Sequence, residues 1–135
     1  MKNKFNISIL FFIFFLLISE NSIADDDFVF ESTSIEVSDN GSVIKAKNGV
    51  NITSNNGLEI SSKESTYSKT SKKLLLIGDV VIFDNKKNIT IRSNNIEYDK
   101  VSEIIISKDK TLINIDDNFN VKSENISFLK LKNII

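Results

Sequence analysis

The chain has 135 residues and contains no Cys, His, Pro or Trp. Those absences exclude thiol nucleophiles, Ser-His and Cys-His pairs, ordinary zinc sites and disulfides. With 17 Lys+Arg against 18 Asp+Glu the formal net charge is −1, so no field favours nucleic acid, and the length suits one domain.

The first element is a targeting segment. Lys2 and Lys4 precede an apolar run from Phe5 to Ile18 that holds five of the ten Phe residues, and Ser22-Ile23-Ala24 supplies small residues before Asp25-Asp26-Asp27. A charged start, an apolar middle and a small-x-small exit form the layout of a secretory signal peptide, expected here over 1–24. The rival reading is a membrane anchor, but a spanning helix needs about 20 apolar residues and this run is shorter. No Cys follows the run, so a lipoprotein anchor is excluded.

From residue 28 onward the chain repeats itself. Phe28-x-Phe30, Leu58-x-Ile60, Ile89-x-Ile91 and Phe119-x-Val121 recur at steps of 30, 31 and 30. Ile35-x-Val37, Ser65-x-Tyr67, Ile96-x-Tyr98 and Ile126-x-Phe128 keep the same steps. Ile44-x-Ala46, Leu74-x-Leu76 and Ile105-x-Ser107 follow, with Val50-x-Ile52, Val80-x-Ile82 and Thr111-x-Ile113. A fixed period of this length marks a repeat architecture, and alternation with period 2 marks strands. Ser38–Gly41 and Ser54–Gly57 are reversal signals, because Asn and Gly tolerate positive φ. Ser68–Lys73, Asp84–Asn88, Asp99–Glu103 and 116–118 are polar breaks at matching places. The strands are therefore expected at 28–37, 43–52, 58–67, 74–83, 89–98, 104–115 and 119–128, joined by short turns as an antiparallel meander.

Each expected strand is interrupted by polar residues at its middle. In the odd strands the two dyads lie five apart, as from Phe30 to Ile35, and an odd spacing flips the face of a flat strand. Each odd strand must then bend or bulge at its midpoint, and in the even strands Gly49 or Gly78 sits beside the bend. The sequence predicts an all-β fold of V-shaped antiparallel strands with a repeat of about 30 residues, two facing walls and the dyads lining the inside. The lining positions are Phe28, Phe30, Ile35, Val37, Ile44, Val50, Ile52, Leu58, Ile60, Tyr67, Leu74, Leu76, Val80, Ile82, Ile89, Ile91, Ile96, Tyr98, Ile105, Ile113, Phe119, Val121, Ile126 and Phe128. A packed core is the bland account of such a list. A folded sheet with no covering helix also leaves its mouth and ends open, and an elongated apolar groove suits acyl chains, which need area and no directed polar contact.

The run Ile44-Lys-Ala46-Lys-Asn-Gly-Val50-x-Ile52, then Tyr67, then Leu76-Ile-Gly78-Asp-Val80-Val-Ile82, then Ile91-Arg-Ser-Asn-Asn-Ile-Glu-Tyr98, resembles the organic-solvent-tolerance (OstA-like), or lipopolysaccharide-transport, periplasmic domain. The resemblance spans 28–135 and rests on the repeat register more than on any single motif. It implies a β-jellyroll, or β-taco, and a domain over 25–135 that is cut short in its fourth repeat at Ile134-Ile135. That domain would be either a compact periplasmic bridge protein or the N-terminal part of the outer-membrane assembly protein. The resemblance also implies that lipopolysaccharide acyl chains pass along Phe30, Val37, Ile44, Val50, Ile52, Ile60, Tyr67, Leu76, Val80, Ile82, Ile91, Ile96, Tyr98, Ile113, Val121 and Phe128. The implied location is the periplasm, with association at the outer membrane. The implied partners are lipopolysaccharide, the outer-membrane assembly machinery and other domains of the same fold joined through edge strands; no cofactor, metal or nucleic acid is implied.

The remaining polar residues give no catalytic pattern. Asp25–Asp27 and Asp116-Asp117 lack the spaced oxygens and late Glu of a calcium loop. Glu59, Glu97 and Glu103 form no convergent pair for acid–base work, so an enzyme acting on envelope glycans finds no residues. Lys72-Lys73 and Lys86-Lys87 fall in turns and read as solvated loops or contacts to lipid phosphates. Leu75, Val81, Ile106 and Leu112 lie opposite the dyads yet are apolar, which fits either a protein contact or plain β-propensity. The alternative to a lipid conduit is a structural β-repeat protein of the cell envelope with a dry core and no ligand.

Overall fold

The computed structural model describes residues 28–116 and 118–129; the signal peptide expected over 1–24 and the expected cut in the fourth repeat at Ile134-Ile135 lie outside the described residues. The described part is ten strands in one antiparallel sheet: β1 (Val29–Ser38), β2 (Val43–Thr53), β3 (Leu58–Ser62), β4 (Glu64–Ser68), β5 (Lys73–Asp84), β6 (Ile89–Asp99), β7 (Ile104–Ser107), β8 (Thr111–Ile115), β9 (Phe119–Ser123) and β10 (Ile126–Leu129). The seven expected strands become ten because three of them break at the bend. Lys63 divides the third, residues 108–110 the sixth and Glu124-Asn125 the seventh.

The sheet folds along those breaks into two walls. One wall runs through the first half of β1, the second half of β2, then β3, β5, β6, β8 and β9. The other runs through the second half of β1, the first half of β2, then β4, β5, β6, β7 and β10. The strands that cross between walls do so in two ways. In β2 and β5 an extra residue enters the ladder: Val50 faces Ser32 but Lys47 faces Ser34, and Val80 faces Ser93 but Ile77 faces Asn95. The bulged pairs are left-handed, with φ of 65° and 85° at Asn48 and Gly49 and 80° and 48° at Gly78 and Asp79. A bulge of this kind bends the strand that carries it. The inserted residue thus belongs to the second and fourth of the seven expected strands and not to the odd ones, because Asn, Gly and Asp there tolerate αL. The odd strands turn the same corner without an insertion, by moving from one inward position to the next in three residues, as from Ser32 to Ile35.

The turns repeat at half the period. The residue just before a strand is left-handed at Gly57, Lys72, Asn88 and Glu103. Two hairpins are fixed by an Asp at the strand end that accepts from turn amides. Asp84 Oδ1 takes Lys86 N at 3.0 Å and Lys87 N at 3.2 Å, and Asp99 Oδ1 takes Val101 N at 2.9 Å and Ser102 N at 3.1 Å. Those amides hold the Asp99 carboxyl below its ordinary range. Such Asx turns satisfy the donors that a tight reversal leaves open.

Candidate functional site

Pairing across the sheet lays the inward side chains out in rows that run from strand to strand. Phe30, Ile52, Ile60, Ile82, Ile91, Ile113 and Val121 form one row on the first wall. Val37, Ile44, Tyr67, Leu74, Tyr98, Ile105 and Phe128 form its counterpart on the second. A third row, Ile35, Ala46, Ser65, Leu76 and Ile96, sits nearer the seam. Aligned β-branched and aromatic side chains on one face are what a half-buried pleated surface selects.

These rows are closed along the middle of the molecule and open at its ends. Val50, Ile52, Ile60, Tyr67, Leu76, Val80, Ile82, Ile91, Ile96, Tyr98, Ile113 and Phe128 are buried in a single apolar cluster. Phe30, Ile44 and Val121 are half-buried against it. Val37 departs from this arrangement. It lies on the inward face of β1, paired with Ile44, yet is 59% exposed, and its neighbour Ile35 is 46% exposed. β1 is the outermost strand of the sheet, so no other described strand flanks it on its far side. At the opposite end Phe119, on β9, is 68% exposed. The interior is therefore not one open groove: its walls touch, and among the described residues its inward apolar face reaches solvent at β1 and at Phe119 of β9.

Rings tie the walls together near the first edge. Phe28 lies edge-on to both Tyr67 and Tyr98, at centroid distances of 5.1 Å and 6.3 Å, and Phe30 lies 6.1 Å from Tyr67. Burial, with the Glu103 carboxylate second, pushes the Tyr98 phenol up to about 12.

The pattern of apolar dyads missed a row of hydroxyls. Ser32, Val50, Ser62, Val80, Ser93, Thr111 and Ser123 are aligned along the seam. The serines at 32, 62, 93 and 123 recur with the same steps as the dyads, which was the available signal. Each turns its hydroxyl onto a carbonyl at the bend: Ser32 to Lys47 O, Ser62 to Glu64 O at 3.0 Å, Ser93 to Lys110 O at 3.4 Å and Ser123 to Glu124 O at 3.1 Å. At the seam of β6, β7 and β8 the hydroxyls of Ser93, Ser107 and Thr111 lie within 2.8–3.0 Å of one another. Bent backbone leaves carbonyls without ladder partners, and a short hydroxyl satisfies them without filling the corner.

The outward face keeps the alternation. Leu75, Glu97 and Ile106 stand in one row, with Leu75 and Ile106 exposed, while Val81 and Leu112 are half-buried. Lys73 Nζ reaches Glu97 Oε1 at 2.7 Å and Lys63 Nζ reaches Asp79 Oδ2 at 2.8 Å.

The repeat, the folded antiparallel sheet and the two-walled apolar interior match what is known of one family. Its model, described as lipopolysaccharide-assembly, LptC-related, matches residues 52–129. The chain belongs to this family. It is accordingly a lipopolysaccharide-transport module. Among solved structures, this LptC-related chain is similar to LptH from Pseudomonas aeruginosa, described as the LptA-homologous periplasmic component of the conserved lipopolysaccharide transport device. The likeness has a TM-score of 0.70 at 15% identity and covers 79% of this chain and 78% of that one, which establishes the shared β-jellyroll fold. No curated protein matches the chain in sequence.

Proposed function

We propose that the chain is a periplasmic conduit module that takes lipopolysaccharide acyl chains between its two walls and passes them along the sheet, from one terminal strand to the other. The observation that carries this reading is the continuity of the inward rows. They run without a charged residue from Phe30 to Val121 on one wall and from Val37 to Phe128 on the other, and among the described residues this inward face reaches solvent at Ile35 and Val37 on β1 and at Phe119 on β9. An acyl chain is bound by area and excluded water, so a row of aliphatic side chains is a sufficient surface for it. The closed middle means that walls must part for a chain to enter, and the contacts they lose are replaced by contacts to the lipid. Within the same reading, residues 1–24 direct export and are removed, the terminal strands pair with domains of the same fold, and association with the outer membrane goes through such a neighbour. The module has no catalytic role.

A photo-crosslinking residue at Ile82, Ile91 or Ile113, each at most 2% exposed, is expected to capture lipopolysaccharide, while the same probe at the outward Lys45 or Glu59 does not. Equal capture at both sets overturns the conduit reading in favour of nonspecific adhesion.

A further inference from the structure

We infer that the outer face near the last strand carries a binding site for a phosphorylated sugar, a reading that rests on the transport function only for where such a sugar would come from. Arg92 on β6 faces Leu112 on β8, and Leu112 faces Lys122 on β9, so two cations flank one apolar side chain across three adjacent strands. Lys110 joins them from the break between β7 and β8, Ser123 from the end of β9 and Glu124 from the break that follows it. The two breaks fall at the same level, and the wall opens there into a cavity of about 450 Å³.

Charge sets these positions apart from their equivalents one repeat earlier. One repeat earlier the row Arg92, Leu112, Lys122 corresponds to Ser61, Val81, Arg92, and Lys110 corresponds to Asp79. The corresponding positions one repeat earlier thus hold one cation, Arg92, and one carboxylate, Asp79, where this cavity gathers three cations. Lys63 and Lys73 are held by carboxylates, but among the described residues no side-chain hydrogen bond or ion pair ties down Arg92, Lys110 or Lys122.

The chemistry of the lining selects a ligand with two parts. A guanidinium donates a bidentate pair to a phosphate, and two ammonium groups add point charge. Half-buried Leu112 offers an apolar floor to the face of a sugar ring, and Ser123 and the Glu124 carboxylate can bond its hydroxyls. A bare anion would use the cations and meet repulsion from Glu124; a neutral sugar would leave the cations unused.

The test is an NMR amide titration of the full chain with glucosamine 1-phosphate, glucosamine and inorganic phosphate in parallel. Glucosamine 1-phosphate is expected to move the amides of 110–112 and 122–124 saturably. Arg92→Gln with Lys122→Gln is expected to weaken it by at least roughly tenfold, the loss of charge-assisted bonds, with thermal unfolding unchanged. Inorganic phosphate binding as tightly as the sugar phosphate overturns the proposal in favour of a free-anion site. An equal response to glucosamine, or shifts spread over the paired Lys63 and Lys73, overturns it in favour of diffuse adhesion. None of these ligands carries an acyl chain, so failure here leaves the interior conduit standing, and failure of interior crosslinking leaves this site standing.

Discussion

Phe28 meets Tyr67 edge to face, with ring centroids 5.1 Å apart and planes at 89°. The two residues come from opposite walls, so this contact closes the folded sheet at its β1 end. Tyr67 is wholly buried and Phe28 is half-buried. Removing the half-buried ring forfeits its area and its edge-to-face contact. Phe28→Ala is expected to lower stability by about 2 kcal/mol, measured as a shift in urea midpoint with the slope unchanged. A loss of less than about 0.5 kcal/mol, the range of plain surface substitutions, would show that the walls are closed without it.

Val80 tests whether the middle is dry. It is 1% exposed and lies in the seam row opposite Ser93. Val80→Asp is expected to destabilise by roughly 3 kcal/mol or more, because a carboxylate there loses its water without gaining a partner. The outward Leu75, 42% exposed, provides the control, and Leu75→Asp is expected to change stability by less than about 1 kcal/mol. Similar effects at both sites would mean that water already fills the interior.

The two bend glycines are not equivalent. Gly49 has φ +85° and open space where a Cβ would stand, whereas a Cβ on Gly78, at φ +80°, would come within 2.9 Å of Lys63 Cβ. Lys63 N also donates to Gly78 O at 2.9 Å, which holds the two bends against each other. Gly49→Ala is expected to lose about 1 kcal/mol, the strain of a left-handed Ala. Gly78→Ala is expected to lose more, since the steric term is added to that strain. Equal losses in chemical denaturation would refute the close packing of Lys63 over the β5 bend.

The repeat made most of this fold legible before any coordinates. The dyads stated which residues share a face, and the turn residues stated where strands end, because both follow from local rules of alternation and αL tolerance. Two features were hidden. Counting apolar dyads cannot register Ser32, Ser62 and Ser93 as inward, since these partly or wholly buried hydroxyls are compensated by carbonyls that only the bend exposes. For the same reason the extra residue fell to the wrong strands: once Ser32 counts as inward, Ser32–Ile35 is one residue shorter than Ala46–Val50, and the insertion must be in β2. Exposure at Val37 was hidden because sequence gives the face of a strand and not whether another strand flanks it. A cationic cavity assembled from β6, β8 and β9 is likewise a product of register between residues far apart in the chain.

Stability is expected to fall at alkaline pH in a way that depends on one phenol. Tyr98 is held up to about 12, above the ordinary value near 10, so the folded state favours the neutral ring. Its contribution is fully present below about pH 10 and is lost as pH rises from there through about 12. The exposed Lys63 and Lys73, also raised by their carboxylate partners, act in the same direction. Urea midpoints measured from pH 8 to 12 separate them, because Tyr98→Phe is expected to flatten part of the decline and leave the lysine part. A decline unchanged in Tyr98→Phe assigns the whole effect to surface charge.

The terminal strands carry the last expectation. Among the described residues β1 pairs only with β2, β9 only with β8, and β10 only with β7, so within that part backbone donors and acceptors are left along both ends of the sheet. Proteins usually protect such edges with Pro, charges or short strands. The chain has no Pro, and β1 is ten residues long with only Glu31 and Glu36 as charges. Its inward Ile35 and Val37 are exposed, and so is Val29, so the edge offers apolar surface beside its unpaired amides. Joining another module at β1 would continue the inward rows, placing its first strand where nothing now covers Val37. Head-to-tail association through this edge is therefore expected, either between copies or with another domain of the fold, visible as concentration-dependent mass in sedimentation. Proline removes an amide donor, and donors alternate in direction along a strand, so Val29→Pro and Glu36→Pro are both required. At least one should abolish association while circular dichroism shows the strands intact. A chain that stays monomeric at high concentration, and that binds no other domain of this fold, would leave β1 as a true end, and Ile35 and Val37 would then be the rim of a closed pocket.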